Sequence, residues 1–180
     1  MKKVLGLFLI PLCFAACTSS TPDTRATVAK DSVTAAPPVI LPYTASYSSN
    51  FVPGKQADVL TVLNSYKTWE TNDMKGLRAT CGDSLEMVFS NGASIKGRTD
   101  SLMKIISKYR DSLSSVQITL IAWTSNHSVD KNEDWVNIWC RERDYPKAGK
   151  ADTTLMFEKW MLKDGRIYYF NQYYAKLPKK

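Results

Sequence analysis

Glu158 is the residue in this sequence best suited to chemistry. It lies between Met156 and Trp160 in an alternating run, so the three side chains share one face of a predicted strand. A carboxylate on an apolar face loses solvent and its pKa rises, which suits a general acid or base. The structural alternative is an ion pair with Arg141 or Arg143, or a position at the rim in water. The pattern favours that alternative and leaves Glu158 as the one candidate catalytic residue.

The other reactive side chains are few and scattered. His127 is the single histidine, and the polar segment 125–133 around it predicts an exposed turn. Cys81 and Cys140 have no metal-binding spacing, and no glycine-rich phosphate loop is present. The two cysteines are expected to be free buried thiols, with a disulfide as the alternative. No metal and no cofactor is expected.

The stretch 153–174 predicts the hairpin that positions Glu158. Two alternating runs flank Asp164 and Gly165, a pair typical of a tight turn with positive φ angles. One face of this hairpin is large, aromatic and only partly polar, which is typical of a cavity wall. The predicted ligand pocket combines seven residues of this hairpin with three aromatic residues from earlier elements. The hairpin residues are Met156, Glu158, Trp160, Tyr168, Phe170, Gln172 and Tyr174, and the earlier ones are Tyr66, Trp69 and Phe89.

The rest of the chain predicts helices early and strands late. Apolar stripes over residues 59–69 and 102–113 and a shorter segment at 73–80 predict three helices, the third with Asp100 as its N-cap. A short hairpin turns at Asn91-Gly92, and a four-stranded meander follows residue 113. This order indicates an α+β domain with helices on one face of the sheet.

The strand over residues 135–143 has two readings. Either Trp135, Asn137 and Trp139 face the interior, or Val136, Ile138 and Cys140 do. Both sets contain large apolar side chains, so the alternation alone does not choose between them.

The first sixteen residues predict an export signal. Lys2 and Lys3 precede an apolar run of 13 residues, which is shorter than the roughly 20 residues that a membrane-spanning helix needs. The sequence Phe14-Ala15-Ala16-Cys17 resembles the lipobox of bacterial lipoproteins, which implies lipidation of Cys17. Thr18 at the next position implies, by the same resemblance, an outer-membrane location facing the periplasm.

Residues 17–50 predict a tether, and residues 51–180 predict the single folded domain. The tether is rich in Ser, Thr, Ala and Pro, and it has too few large apolar residues to offset the entropy of ordering. From residue 51 onward the chain has 20 basic and 15 acidic side chains, scattered rather than clustered. A nucleic-acid interface needs a clustered basic surface, so no nucleic-acid partner is expected.

Three segments in this order resemble the nuclear-transport-factor-2-like (NTF2-like) superfamily, in particular its SnoaL-like branch. They are T-N-D-M-K-G-L at residues 71–77, S-N-G-A-S-I-K-G-R-T-D at 90–100, and W-M-L-K-D-G-R-I-Y-Y-F-N-Q-Y at 160–173. The resemblance implies a curved antiparallel sheet wrapped around an N-terminal helix into a cone with a deep pocket. It also implies dimers through the outer face of the sheet. Members include isomerases, cyclases, dehydratases and hydrolases, and many others only bind.

The ketosteroid-isomerase branch of that superfamily offers a test at single residues. Aligned through residues 72–76, its general base falls on Phe89, which cannot accept a proton. Its oxyanion tyrosine falls on Ser65, which places Tyr66 on another helical face. Its carboxylic acid falls on Glu158 when a gap of one residue is allowed. Two of three catalytic positions are therefore lost, and that reaction is excluded.

These observations lead to three functional hypotheses. The first is a lipid-anchored domain that binds a small apolar or amphipathic ligand, or a partner protein, without catalysis. The second is an acid–base enzyme that acts on a carbonyl-containing molecule through Glu158. The third is a homodimer formed through the outer sheet face, where Ile167, Tyr169 and Tyr173 are expected.

Overall fold

The structure is a computed structural model that describes residues 41–177. The predicted signal peptide, the lipidation site Cys17 and most of the predicted tether lie outside the described residues. The described residues from Tyr43 onward form one compact unit. No helix within residues 41–177 has the length and apolar character needed to cross a bilayer.

Three helices and seven strands make up the described part of the chain. In order they are β1 (Phe51–Pro53), α1 (Gln56–Glu70), α2 (Met74–Thr80), β2 (Cys81–Val88), β3 (Ser94–Arg98), α3 (Thr99–Asp111), β4 (Leu113–Ser128), β5 (Glu133–Pro146), β6 (Asp152–Lys163) and β7 (Arg166–Lys176). The strands form one curved, open sheet in the order β1-β4-β5-β6-β7-β2-β3. Every neighbouring pair is antiparallel except β2 and β7. The predicted α+β cone with three helices is confirmed.

Helix α1 packs its apolar stripe against the concave face of the sheet. Val59 and Val62 are buried there, and Val62 has no exposed surface. Arg110 of α3 connects the end of α1 to the next layer, because its guanidinium donates to the carbonyls of Trp69 at 2.8 Å and Glu70 at 3.0 Å. A buried cation at a helix C-terminus stabilises the unpaired carbonyls found there. This contact fixes Trp69 beside α3.

Helix α3 begins one residue before the predicted cap. Its N-cap is Arg98 rather than Asp100, so the prediction for Asp100 is wrong. The fully buried Thr99 donates its hydroxyl to the carbonyl of Gly82 in β2 at 2.6 Å, and this contact holds the first residue of the helix against the sheet. Asp100 lies in the first turn and pairs with Arg78 at 2.6 Å, where its charge still complements the helix dipole.

Strand β5 directs its even-numbered residues inward. Val136, Ile138 and Cys140 have no exposed surface. Trp139 lies on the opposite, convex face, with its ring centroid 4.8 Å from that of Phe157. The orientation that the alternation left open is therefore the one with Val136, Ile138 and Cys140 inside.

A β-bulge in β7 changes the predicted face of Ile167. The turn residues Asp164 and Gly165 have φ angles of 51° and 71°, as the sequence predicts. Beyond the turn, Ile167 pairs with Leu162 and Tyr169 pairs with Met161, so one extra residue interrupts the alternation. Ile167 is consequently fully buried on the concave side. Its predicted place on the outer face is wrong.

The residues just before β1 contact the far end of the β4–β5 hairpin. Tyr47 donates its hydroxyl to Glu133, and Ser48 donates to Asp130 at 2.5 Å. Strand β1 then pairs with the last residues of β4. The chain therefore contacts the domain slightly before residue 51, where the sequence placed the boundary.

Candidate functional site

A cavity of about 530 Å³ lies between the helices and the concave face of the sheet. This volume is in the range of small-molecule sites. Nine of the ten predicted pocket residues line it: Tyr66, Trp69, Phe89, Met156, Glu158, Trp160, Phe170, Gln172 and Tyr174. Side chains that the prediction omitted complete the wall: Leu85 and Met87 from β2, and Met103, Ile106 and Tyr109 from α3.

Tyr168 is the predicted pocket residue that lies elsewhere. The bulge in β7 turns it away from the cavity, and it borders a smaller depression beside Glu86 and Lys96. Ile167 takes its place in the cavity wall. Counting two residues back from Phe170 predicts Tyr168 in the cavity wall, and this prediction is wrong because the bulge interrupts the alternation.

Glu158 lies at the floor of the cavity in a closed hydrogen-bond cluster. It is 4% exposed, and both of its carboxyl oxygens have a partner. The Tyr66 hydroxyl donates to Oε2, and the Gln172 side-chain amide donates to Oε1 at 2.9 Å. Burial raises the pKa of Glu158 to about 7, and the hydrogen bond from Gln172 opposes that rise. The partners of Glu158 are neutral donors, and Arg141 and Arg143 are exposed instead.

The position of Tyr66 corrects one step of the sequence comparison. Both Ser65 and Tyr66 line the cavity, so the two consecutive residues do not lie on separate faces. The hydroxyl of Ser65 donates back to the carbonyl of Val62 at 2.7 Å. The longer side chain of Tyr66 reaches Glu158 across the cavity floor. A tyrosine–carboxyl pair is therefore present, one residue away from the aligned position.

The mouth of the cavity carries a second carboxyl group that the prediction omitted. Glu142 of β5 is half-buried beside Trp69, and burial raises its pKa to about 8. The charge of Asp144 adds to this rise, whereas Trp69 and Arg110 oppose it. The signal for Glu142 lay in the sequence, because it follows Val136, Ile138 and Cys140 on the same face. Only the unsettled orientation of that strand concealed it.

Asp144 lies next to Glu142 at the mouth. It accepts a hydrogen bond from the Tyr109 hydroxyl at 3.0 Å, and its Oδ1 is buried with no hydrogen-bond partner within residues 41–177. Burial raises its pKa, and Tyr109 and Arg110 oppose the rise. Tyr109 in turn stacks on Trp69 with a centroid distance of 6.2 Å. The mouth thus combines carboxyl groups with aromatic rings.

The floor and the mouth are separated by an apolar section. Glu142 pairs with Thr154 across β5 and β6, and Glu158 lies four residues further along β6. Four residues of strand span about 13 Å. Met156 lies halfway along this distance and lines the cavity. The site is therefore an apolar tube with an acidic group at each end.

The remaining candidates lie outside this chemistry. His127 belongs to β4 rather than to a turn, and its Nδ1 lies 2.8 Å from Asp134 Oδ1, at the far end of that strand from the mouth. Cys81 lines the cavity and Cys140 is buried; both are free thiols. Within the described residues, no group of His, Cys, Asp or Glu side chains has the arrangement of a metal site.

The comparisons with known proteins agree with this architecture. No protein-family profile matches the sequence, and no curated protein is significantly similar to it. Among solved structures, an LEH-like epoxide hydrolase of M. tuberculosis superposes with a TM-score of 0.57 at 12% identity, covering 67% of this chain and 84% of that chain. An NTF2-like protein of unknown function from Burkholderia pseudomallei has a TM-score of 0.54 at 15% identity, covering 66% and 91%.

A third structure extends the same group. A ketosteroid-isomerase-like protein from Catenulispora acidiphila, solved in complex with trimethylamine, has a TM-score of 0.52 at 15% identity, covering 64% of this chain and 85% of that chain. Similarity at these identities establishes architecture and not activity. The described domain has the NTF2-like fold.

Proposed function

We propose that this protein is an exported, lipid-anchored SnoaL-like domain whose cavity binds a small apolar or amphipathic molecule. The observation that carries the proposal is the cavity itself, about 530 Å³ in volume with a largely apolar wall and an open mouth. Lipidation of Cys17 would hold the domain at the outer membrane, facing the periplasm, through the segment before residue 43. One structural neighbour holds a small organic molecule, trimethylamine, which is consistent with a binding role for this fold.

Binding without turnover accounts best for the groups at the floor. Both oxygens of Glu158 accept hydrogen bonds from the protein's own side chains, so neither is unpartnered. The position that the isomerase comparison assigns to a base is Phe89, whose ring lines the cavity. A carboxyl group whose two oxygens are already bonded within the protein holds the cavity wall in place and is poorly placed to exchange a proton with a ligand.

A cavity-filling substitution tests the binding role. Met156 lines the middle of the cavity, whereas its neighbour Leu155 is 38% exposed, pointing the other way from β6. Residues 18–180, produced without the signal and the lipid, are titrated with the neutral fluorescent probe N-phenyl-1-naphthylamine. We expect Met156→Trp to weaken probe binding by at least about tenfold, and Leu155→Trp to leave it unchanged. Equal binding by both variants and wild type would place the probe outside the cavity and refute the proposal.

The second candidate function is acid–base catalysis on a carbonyl compound. The pKa of Glu158 of about 7 suits proton transfer near neutral pH, and Tyr66 adds a phenol beside it. Turnover of any member of a carbonyl panel, with a pH–rate profile that Glu158→Gln abolishes, would establish this candidate. Folded protein without turnover on the whole panel would exclude it and leave binding.

The convex face of the sheet supports a homodimer as the partner state. Trp139, Phe157 and Tyr173 form a row there, with Phe157 and Tyr173 centroids 6.2 Å apart, and Tyr173 is 47% exposed. Exposed aromatic rows of this kind mark protein interfaces. Light scattering of residues 18–180 is expected to give twice the monomer mass, and Tyr173→Glu is expected to give a monomer. A wild-type monomer at high concentration would refute the dimer.

A further inference from the structure

The charged groups that line the cavity are almost all acidic. Among residues 41–177, four carboxyl groups and one basic group border it: Glu142, Asp144, Asp152 and Glu158 against Lys176. Lys176 pairs with Asp152 at 3.1 Å, and 68% of its side chain is exposed. The charge of Lys176 is thus directed to the rim, and the interior of the cavity has an excess of hydrogen-bond acceptors.

The acceptors at the mouth have few donors within the protein. Tyr109 donates to one oxygen of Asp144, and the other oxygen is buried with no partner among the described residues. Arg110 lies behind this group, but its guanidinium donates to the backbone carbonyls of Trp69 and Glu70. Its charge reduces the negative potential at the mouth, while its hydrogen bonds are used elsewhere. A ligand that donates hydrogen bonds would supply a partner for the free carboxyl oxygen of Asp144.

Aromatic rings stand beside these carboxyl groups. Trp69 and Tyr109 stack at the mouth, and Tyr109 is 54% exposed. Arg110 lies over a face of Trp69, 5.7 Å from its centroid, and Tyr109 stacks on the same ring, so the ring of Tyr109 is the one available to a ligand. Ring faces attract organic cations, and the attraction grows when the cation is partly desolvated. The carboxyl groups and the aromatic rings therefore both favour a cationic ligand head that donates hydrogen bonds.

We infer that the cavity binds an elongated amphiphile with an ammonium head, a long-chain amine, whose head lies at Glu142 and Asp144 and whose chain extends towards Glu158. This inference rests on the proposed binding function and names its ligand class. The apolar section of about 13 Å between the two ends suits an extended alkyl chain. Fatty acids and other anionic amphiphiles are expected to bind more weakly, because a carboxylate head beside Glu142 and Asp144 is repelled by whichever of these groups is ionised.

Protonation supports the same assignment. The pKa of Glu142 is about 8, raised by burial and by the charges of Asp144 and Glu70 and opposed by Trp69 and Arg110. An ammonium head favours the ionised carboxylate, so binding of the amine releases a proton from Glu142. The affinity for a long-chain amine is therefore expected to rise between about pH 6 and about pH 8.5.

Three probes of equal chain length test the head group. Dodecylamine, dodecanol and dodecanoic acid compete with N-phenyl-1-naphthylamine for residues 18–180. We expect the amine to bind at least about tenfold more tightly than the alcohol, and the acid to bind more weakly than the alcohol. Failure of the fluorescent probe to bind would refute the proposed function itself. A probe that binds but is displaced best by dodecanoic acid, or equally by all three, would refute only the amine assignment.

A pair of substitutions locates the head. Glu142→Gln keeps the shape of the side chain and removes its charge, so we expect it to reduce the preference for amine over alcohol by about tenfold. Asp83→Asn is the matched control, because it removes one carboxylate from a fully exposed position outside the cavity. The thermal midpoint of each variant shows that it is folded. An unchanged preference in Glu142→Gln, or a loss in Glu158→Gln alone, would refute a head at the mouth.

Discussion

The two ends of the cavity hold their carboxyl groups in opposite ways. At the floor, Glu158 is 4% exposed and receives a neutral hydrogen-bond donor on each oxygen. At the mouth, Glu142 and Asp144 lie side by side near solvent, with the buried Arg110 behind them and one buried oxygen unpartnered among residues 41–177. The fold supplies a hydrogen-bond donor to each carboxyl oxygen of Glu158, whereas it leaves one carboxyl oxygen of Asp144 without a donor among the described residues.

This difference suggests different roles for the two ends, with a structural role for Glu158 and a ligand-binding role for Glu142 and Asp144. A buried carboxyl group with complete hydrogen bonding fixes the side chains around it, and here those are Tyr66 of α1 and Gln172 of β7. The floor therefore joins helix to sheet. A carboxyl oxygen without a partner in the protein can accept a hydrogen bond from a ligand. The mouth is therefore the end at which we propose that ligands are discriminated.

The largest expected effect is on the pH dependence of stability. The pKa of Glu158 is about 7 in the folded protein, against an ordinary value of 4.5, so the folded state binds more protons than the unfolded state between these two values. Stability on this account is greatest below the unfolded pKa and falls as pH rises towards 7. Glu158→Gln removes this loss, which amounts to about 3 kcal/mol.

Urea unfolding at about pH 5 and about pH 8.5 measures this prediction. Wild type is expected to be less stable at the higher pH, and Glu158→Gln to lose about 3 kcal/mol less than wild type does. Glu142→Gln is expected to act in the same direction over a range that extends to about pH 8, because burial raises the pKa of Glu142 as well. A loss of stability in Glu158→Gln as large as that of wild type would contradict the prediction for the floor.

A pair of tyrosine substitutions sharpens the contrast at the next level of effect. Tyr66→Phe removes the donor of a buried carboxyl group, so we expect a loss of about 2 kcal/mol of unfolding free energy and a higher pKa for Glu158. Tyr109→Phe removes the corresponding donor of Asp144 at a half-exposed site, and a loss below about 1 kcal/mol is expected. Equal losses from the two variants would show that the floor is no better satisfied than the mouth.

The general architecture could be predicted because the periodicities are strong. The buried stripe of Val59 and Val62 and the positive φ angles at Asp164 and Gly165 follow directly from residue type and spacing. The predicted helix start at Asp100 failed, because the hydroxyl of Thr99 bonds to a carbonyl of a strand distant in the sequence. Local signals define the elements, and tertiary contacts adjust their ends.

The candidate site was predictable only in part, for reasons of geometry. Alternation placed Met156, Glu158 and Trp160 in the cavity wall, but a bulge cannot be read from alternation, and it exchanged Ile167 with Tyr168. Glu142 was missed because both faces of its strand contain large apolar side chains, so the alternation does not show which face points inward. The buried core at Val136, Ile138 and Cys140 supplies that orientation, and it exists only in the folded chain.

The smallest expected effect concerns Lys176, the basic side chain that borders the mouth among the described residues. Lys176 forms an exposed pair with Asp152, and such pairs contribute little to stability because water and salt screen them. Lys176→Met should leave the thermal midpoint of unfolding unchanged within error. It should nevertheless increase the affinity for dodecylamine a few-fold at low salt, since a positive charge is removed from the rim. The same variant at high salt is the control, because screening should erase the gain. A lower affinity for the amine at low salt would show that the potential of the mouth is not set by its carboxyl groups, and the contrast with the floor would then lose its electrostatic basis.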